Sequence, residues 1–164
     1  MAEDEELYAL ARKVGQVLRL QGRVLVLAES CTGGWVAQCV TDVPGSSAWF
    51  DRGFVTYSNQ AKCELLDVPS EIIQVHGAVS SETVRAMAAG ALSHSAADVA
   101  VAVSGIAGPT GGTPDKPIGT VWFAWQRDDG ICRIQCMQFG GDRRGIRQQA
   151  VRAALQGILD VCRD

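Results

Sequence analysis

The chain has 164 residues, of which 47% are hydrophobic and 20% charged, with a formal net charge of −3. This composition excludes a disordered or fibrous protein and fits a single domain, residues 1–164, with its own hydrophobic core. The charge is spread along the chain, so no basic face for nucleic acid is expected, and no apolar run reaches the roughly 20 residues that a membrane span requires.

The first half of the chain alternates between predicted helices and strands. An amphipathic helix ends at Gly22, and an apolar strand follows at 23–28. A helix up to about Asp42 and a strand at 51–57 come next. The acidic start, residues 1–6, is unlike a signal peptide, and we expect a cytoplasmic location.

The second half continues the alternation. It predicts short helices after residues 58 and 69, a longer helix after residue 80, an apolar strand at 99–103, strands at 119–126 and 131–139, and a helix from 142 to about 163. Asp129-Gly130 predicts a two-residue hairpin turn. The pattern indicates an α/β fold, a three-layer α/β/α sandwich with a mixed, mostly parallel sheet.

The cysteines and histidines do not indicate a metal site. The six cysteines form no C-x-x-C pair and the two histidines are isolated in the sequence. The ligand spacing of a zinc site is therefore missing, and reduced, mostly buried thiols are the plainer interpretation. We predict no metal and no cofactor.

The most informative segment is 28–34, Ala-Glu-Ser-Cys-Thr-Gly-Gly, where a buried strand turns into a helix. Such a junction presents backbone N–H groups and the positive end of a helix dipole. Ser30 is the candidate nucleophile, with N–H groups around Thr32, Gly33 and Gly34 as candidate oxyanion donors. Ser30 as a plain helix cap is the alternative. Cys31 is a rival nucleophile, since a thiol at a helix N-terminus is acidified.

Lys62 is the candidate base for Ser30. It falls in the first turn of a predicted helix, where the dipole and burial both lower the pKa of an amine. A lysine that is neutral near pH 7 can take a hydroxyl proton. Tyr57, at the end of the preceding strand, is placed to hydrogen-bond either partner. The alternative is a solvated surface lysine and an edge tyrosine.

Two further segments are candidate substrate contacts. The glycine-rich loop 104–117 lacks the ending of a P-loop, but Ser104, Gly105, Ala107 and Gly108 let backbone N–H groups approach an anion or a carbonyl oxygen. A flexible connection between strands is the alternative. The start of the last helix carries three arginines, which predict either a phosphate grip or a solvated face: Arg143, Arg144 and Arg147.

Taken together, these segments resemble the CinA C-terminal domain family, whose stand-alone members are nicotinamide-nucleotide amidases. The matching stretches lie in the family's order: 28–34, 57–59 with Lys62, 77–80, 104–109 with 111–112, 116–121, and 142–143 with 146–147. The resemblance implies an α/β/α sandwich that hydrolyses the carboxamide of nicotinamide mononucleotide to nicotinate mononucleotide and ammonia. It places the family's serine on Ser30, its lysine on Lys62 and its tyrosine on Tyr57.

The resemblance also implies a role in pyridine-nucleotide recycling and a homodimer or higher homo-oligomer. Arg143 and Arg147 match the family motif, while Arg144 leaves open which arginine binds phosphate. Two other readings stay open. One is a non-catalytic nucleotide- or partner-binding module linked to competence or DNA damage. The other is an amidase for a different carboxamide.

Overall fold

The structure, a computed structural model, describes residues 1–163. Within this range the chain forms six α-helices and a five-stranded sheet. The helices are Ala2–Gln21 (α1), Trp35–Thr41 (α2), Asn59–Leu66 (α3), Ser70–His76 (α4), Ser81–Ser93 (α5) and Arg143–Val161 (α6). The strands are Leu25–Glu29 (β1), Phe50–Val55 (β2), Val99–Gly105 (β3), Thr120–Arg127 (β4) and Cys132–Gln138 (β5).

The sheet is mixed, in the order β2-β1-β3-β4-β5. β1 pairs in parallel with β2 and β3, whereas β3–β4 and β4–β5 are antiparallel. Four strands therefore run in one direction and only β4 opposes them. β1 and β3, the two strands predicted from solid apolar runs, are adjacent and central, and all of β1 is buried.

Helices cover both faces of the sheet, which confirms the α/β/α sandwich. Leu27, Val101 and Phe123 belong to one buried cluster with residues of α1, α2 and α6. Ala28 and Ala102, their neighbours along the strands, belong to the second cluster with α3, α4 and α5. The alternation of side chains along a strand thus divides the core into two halves.

The helix boundaries follow the capping signals. The side chains of Ser58, Ser80 and Asp142 accept hydrogen bonds from the N–H groups three residues later, at the starts of α3, α5 and α6. Gly22, with φ 64°, ends α1 in the left-handed conformation.

The hairpin between β4 and β5 differs from the prediction. Gly130 N–H donates to Arg127 O and Arg127 N–H donates to Ile131 O, so the loop has three residues. Gly130 has φ 97°, which is the geometry of a type I turn followed by a left-handed residue. The Asp-Gly pair therefore occupies the last two positions of a three-residue loop and is not the whole of a two-residue turn.

Candidate active site

Ser30 lies at the carboxyl end of β1, on the edge where β3 also ends. Its N–H donates to Val103 O at 3.0 Å, which extends the β1–β3 ladder by one residue. Gly33 N–H then donates to Ser30 O at 3.0 Å and closes a turn. Gly33 and Gly34 have φ values of 61° and 96°, which side-chain-bearing residues rarely adopt. The two glycines are thus needed to turn the chain from β1 into α2.

Lys62 reaches Ser30 from α3. Its side chain is only 1% exposed. Nζ lies 3.0 Å from Ser30 Oγ, 2.8 Å from Thr56 O and 3.3 Å from Tyr57 O. The lysine predicted as a base and the serine predicted as a nucleophile are therefore in direct contact across the cleft.

The surroundings of Lys62 favour a neutral amine. Burial lowers the pKa of Lys62 from its ordinary value of 10.5, and the nearby thiols of Cys31 and Cys63 only partly oppose this. A neutral amine has two N–H bonds and one lone pair. The carbonyls of Thr56 and Tyr57 can accept the two N–H groups, which leaves the lone pair for the Ser30 hydroxyl proton.

Cys31 does not have the acidified thiol that its position suggested. The residue is 7% exposed, and burial raises the pKa of its thiol to about 12. The positive charge of Arg147 lowers this pKa, but by less than burial raises it. At neutral pH the side chain is a buried thiol rather than a thiolate nucleophile.

Tyr57 contacts Lys62 through its carbonyl and not through its ring. The residue is 61% exposed, and its hydroxyl accepts a hydrogen bond from Arg143 Nη2 at 3.1 Å. Arg143 Nη1 also donates to Gly108 O at 2.7 Å. Tyr57 therefore accepts a hydrogen bond from Lys62 with its carbonyl, while its hydroxyl joins Arg143 to the rim of the site.

A cavity of about 270 Å³ opens in front of the Ser30–Lys62 pair. It lies beyond the carboxyl ends of parallel strands, where ligands bind in open α/β sheets. The sequence-predicted residues that line it come from the turn after β1, from α3 and the segment before it, from the end of β3 and the loop that follows, and from the start of α6. They are Ser30, Tyr57, Lys62, Ser104, Gly105, Ala107, Gly108 and Arg143.

Four other predicted site residues do not line this cavity. Thr32 is fully buried and donates through Oγ1 to Glu29 Oε1 at 2.6 Å. The N–H of Gly33 is already bonded to Ser30 O, and Gly34 is the N-cap of α2. Arg147 donates to the carbonyls of Cys31 and Thr32. The turn after β1 therefore uses these groups to hold its own shape.

Sequence reasoning gave no binding role to several residues that line the cavity. Asn59 is available because Ser58, and not Asn59, caps α3. Ala78 and Val79 follow α4 and carry no chemical signal in the sequence. The loop after β3, which is predicted as a whole to contact the substrate, contributes three further lining residues: Ile106, Thr110 and Gly111.

A larger groove of about 470 Å³ lies elsewhere, between α1 and α6. Its lining includes Glu6, Lys13 and Arg152 but no hydroxyl or thiol side chain. Within residues 1–163, no cluster of three or more His, Cys, Asp or Glu side chains has the arrangement of a metal site. None of the helices in that range combines the length and apolar character needed to cross a membrane.

Fold and site together define a single-domain α/β/α protein with a buried serine–lysine pair at the carboxyl edge of its sheet. The chain belongs to the CinA family: the model of the CinA C-terminal domain matches residues 7–162. This confirms the family resemblance found in the sequence motifs.

Two curated relatives and one solved structure match along nearly their whole length. The nicotinamide-nucleotide amidohydrolase PncC of Escherichia coli strain K12 is 55% identical over 157 residues, which covers 94% of each chain. The protein of the same name from Pseudomonas putida is 51% identical, with 93% of this chain and 94% of the relative covered. The crystal structure of the competence/damage inducible protein CihA from Agrobacterium tumefaciens superposes with a TM-score of 0.93 at 44% identity, covering 94% of both chains.

Proposed function

We propose that the chain hydrolyses the carboxamide of nicotinamide mononucleotide to nicotinate mononucleotide and ammonia. The observation that carries the proposal is the 3.0 Å contact between Lys62 Nζ and Ser30 Oγ, with Thr56 O and Tyr57 O as the other acceptors around Nζ. Relatives of 55% and 51% identity bear the name nicotinamide-nucleotide amidohydrolase, which supports this choice of substrate.

The first half of the reaction forms an acyl-enzyme. Lys62 Nζ takes the proton of the Ser30 hydroxyl while Oγ bonds to the carboxamide carbon, giving a tetrahedral oxyanion. Lys62 then returns this proton to the amide nitrogen. The C–N bond breaks, ammonia leaves, and the nicotinoyl group remains on Ser30 as an ester.

The second half consumes one water. Lys62 takes a proton from the water as its oxygen bonds to the ester carbon. The C–Oγ bond then breaks, and Ser30 recovers its proton from Lys62. Nicotinate mononucleotide leaves and the pair returns to its starting state. In this scheme Lys62 is base and acid in turn. Tyr57 transfers no proton and belongs to the rim of the site, because its hydroxyl is bonded to Arg143.

The proposed oxyanion donor is the N–H next to the nucleophile in the turn after β1. Gly33 N–H is bonded to Ser30 O, so it is a poor donor. Cys31 lines the cavity, and its N–H donates to no backbone carbonyl within residues 1–163. The N–H that follows the nucleophile serves this purpose in many hydrolases, and we assign Cys31 N–H the same role. Loss of one such donor typically lowers kcat by a factor of about 10² to 10³.

Arg143 is the proposed phosphate contact. It lines the cavity, and its bonds to Gly108 O and Tyr57 Oη use two of the five N–H donors of a guanidinium. The remaining donors can bind phosphate oxygens. The loop 104–113 would then hold the ribose between Arg143 and Ser30.

The test is ammonia release from nicotinamide mononucleotide by the purified protein, with and without a chelator. Wild type is expected to release one ammonia per nicotinate mononucleotide formed, and Ser30→Ala to form no product while keeping its circular dichroism spectrum. Nicotinamide riboside and the dinucleotide are the comparison substrates, and a phosphate contact predicts that the mononucleotide is preferred. Binding of the mononucleotide in calorimetry without any product would favour a non-catalytic binding module instead.

The proposal extends to the biological setting. We place the activity in cytoplasmic pyridine-nucleotide recycling and assign the protein a homodimeric or higher homo-oligomeric state. Light scattering coupled to size-exclusion chromatography measures that state directly, and a mass of one chain would contradict it.

A further inference from the structure

Arg143 and Arg147 lie one turn apart on α6, and the structure uses them differently. At about 1.5 Å per residue, Arg147 is about 6 Å further along the helix axis. Arg143 reaches the loop after β3 and lines the cavity. Arg147 instead reaches the turn that carries Ser30.

The guanidinium of Arg147 holds two successive carbonyls of this turn. Nε donates to Cys31 O at 3.0 Å and Nη2 donates to Thr32 O at 3.1 Å. The group also lies over the ring of Trp35, with Cζ 5.5 Å from the ring centroid. A Cβ added to Gly33 would lie 3.3 Å from Nη2, so the glycine allows this close approach. Arg147 is therefore fitted to the turn by shape as well as by hydrogen bonds.

These contacts fix the peptide planes on both sides of Cys31. The plane between Ser30 and Cys31 is fixed by the hydrogen bond from Gly33 N–H to Ser30 O. The plane between Cys31 and Thr32 is fixed by Arg147, the only partner of Cys31 O found within residues 1–163. Without the guanidinium, this second plane can rotate. Because this rotation displaces Gly33, it weakens the hydrogen bond from Gly33 N–H to Ser30 O, and the first plane, which carries Cys31 N–H, then loses its defined orientation toward the cavity.

We propose that Arg147 is a positioning residue, which holds the backbone of the Ser30 turn in its reactive conformation and does not bind the substrate phosphate. The inference rests on the proposed function of the Ser30–Lys62 pair. Its consequence is that loss of Arg147 lowers the rate of the chemical step for every substrate, with or without a phosphate.

The experiment compares Arg147→Ala, Arg147→Lys and the control Arg144→Ala, each with nicotinamide mononucleotide and nicotinamide riboside. Arg144 is a matched control, because its Cζ lies 5.0 Å from the same Trp35 centroid but the residue makes no hydrogen bond to the turn. We expect Arg147→Ala to lower kcat about 10- to 100-fold for both substrates, with KM changed less than about threefold, as one weakened oxyanion donor predicts. Arg147→Lys, which can reach one carbonyl, is expected to recover part of kcat. Arg144→Ala is expected to stay within about twofold of wild type.

Two results would overturn the inference. One is a KM for the mononucleotide that rises tenfold or more in Arg147→Ala while the riboside constants stay unchanged, which is the behaviour of a phosphate contact. The other is wild-type kcat in Arg147→Ala. A thermal unfolding curve for each variant shows whether a lost rate reflects lost folding. If Arg147→Ala does not fold, the same kcat and KM comparison of the two substrates is made with Arg147→Lys.

A second readout separates this inference from the proposed substrate. A fluorophosphonate reacts with an activated serine: Oγ bonds to phosphorus, fluoride leaves and the base takes the hydroxyl proton. If wild type leaves the mononucleotide intact but is labelled at Ser30, only the substrate is wrong, and Arg147→Ala is still expected to slow labelling about 10-fold or more. If wild-type Ser30 is neither acylated nor labelled, the serine–lysine proposal fails and this inference fails with it.

Discussion

The most direct test of the site is Lys62→Met, which removes an amine from a side chain that is 1% exposed. Methionine is unbranched and fills a similar volume, so the packing of α3 against the sheet is kept. What is lost is the group 3.0 Å from Ser30 Oγ. The variant therefore separates the chemistry of the amine from the space it fills.

The size of the effect follows from the role assigned to Lys62. A positioned general base contributes about 10² to 10⁴ in rate, which is about 2.7 to 5.5 kcal/mol of transition-state stabilisation. We expect kcat for ammonia release to fall by this factor in Lys62→Met. Lys62→Arg keeps a cation and its donors but has a pKa above about 12, so it cannot take the Ser30 proton and is expected to lose as much. Activity within tenfold of wild type in Lys62→Arg would show that the charge, and not the basicity, is what Ser30 needs.

The pH dependence gives a second measure of the same amine. Burial lowers the pKa of Lys62 in the folded state below 10.5, its value in the unfolded chain. Between the two values the unfolded state binds more protons, so the free energy of unfolding of wild type relative to Lys62→Met must rise with pH. The penalty for burying the charge is fully present below the folded pKa and is gone above 10.5. Urea titrations of both proteins across this window measure the difference, and parallel curves would refute the lowered pKa. The acid limb of kcat/KM should follow the same folded-state pKa.

Three further experiments test the neighbouring structure. Ser30→Ala is expected to bind nicotinamide mononucleotide in calorimetry without forming product, while Cys31→Ala keeps measurable turnover because a thiol with a pKa of about 12 supplies no thiolate; the reverse pattern would move the nucleophile to Cys31. Gly90→Ala places a Cβ 1.9 Å from Leu66 O, and we expect it to lower the free energy of unfolding in urea by at least about 1 to 3 kcal/mol. Gly140→Ala meets nothing within 4 Å and serves as the control. Glu29→Gln replaces a carboxylate that accepts hydrogen bonds from Thr32 Oγ1, Val36 N and Ala37 N. We expect its free energy of unfolding to fall by about 1 to 3 kcal/mol, and unchanged stability would show that these bonds are dispensable.

The sequence was sufficient for the fold because its local signals agree with one another. Apolar runs predicted the two central strands, and the hydroxyl caps marked where α3 and α5 begin. The proximity of Ser30 and Lys62, which are 32 residues apart, followed from placing both segments at the carboxyl edge of a parallel sheet. No local pattern in the sequence gives the 3.0 Å distance itself, because that depends on how α3 packs against β1.

The sequence alone does not distinguish the roles of Arg143 and Arg147 on α6. The sequence predicts a phosphate grip or a solvated face for all three arginines at the start of α6, and Arg143 and Arg147, being four residues apart, lie on one face of the helix. The displacement of about 6 Å along the helix axis takes Arg147 past the cavity to Cys31 O and Thr32 O. Which of two neighbouring cations reaches a cavity is set by the crossing of helix and sheet, and this is a tertiary property.

Strand alternation also keeps the buried carboxylate of Glu29 off the side of the sheet where Lys62 lies. Glu29 and Ser30 are adjacent, so their side chains leave β1 on opposite faces of the sheet. The Glu29 carboxylate meets Thr32 and the first N–H groups of α2, while Ser30 Oγ meets Lys62 of α3. A carboxylate on the lysine side would hold the ammonium form and leave no lone pair for the serine proton. The same two residues exchanged in order would place the charge beside Lys62, and the pair would lose its base.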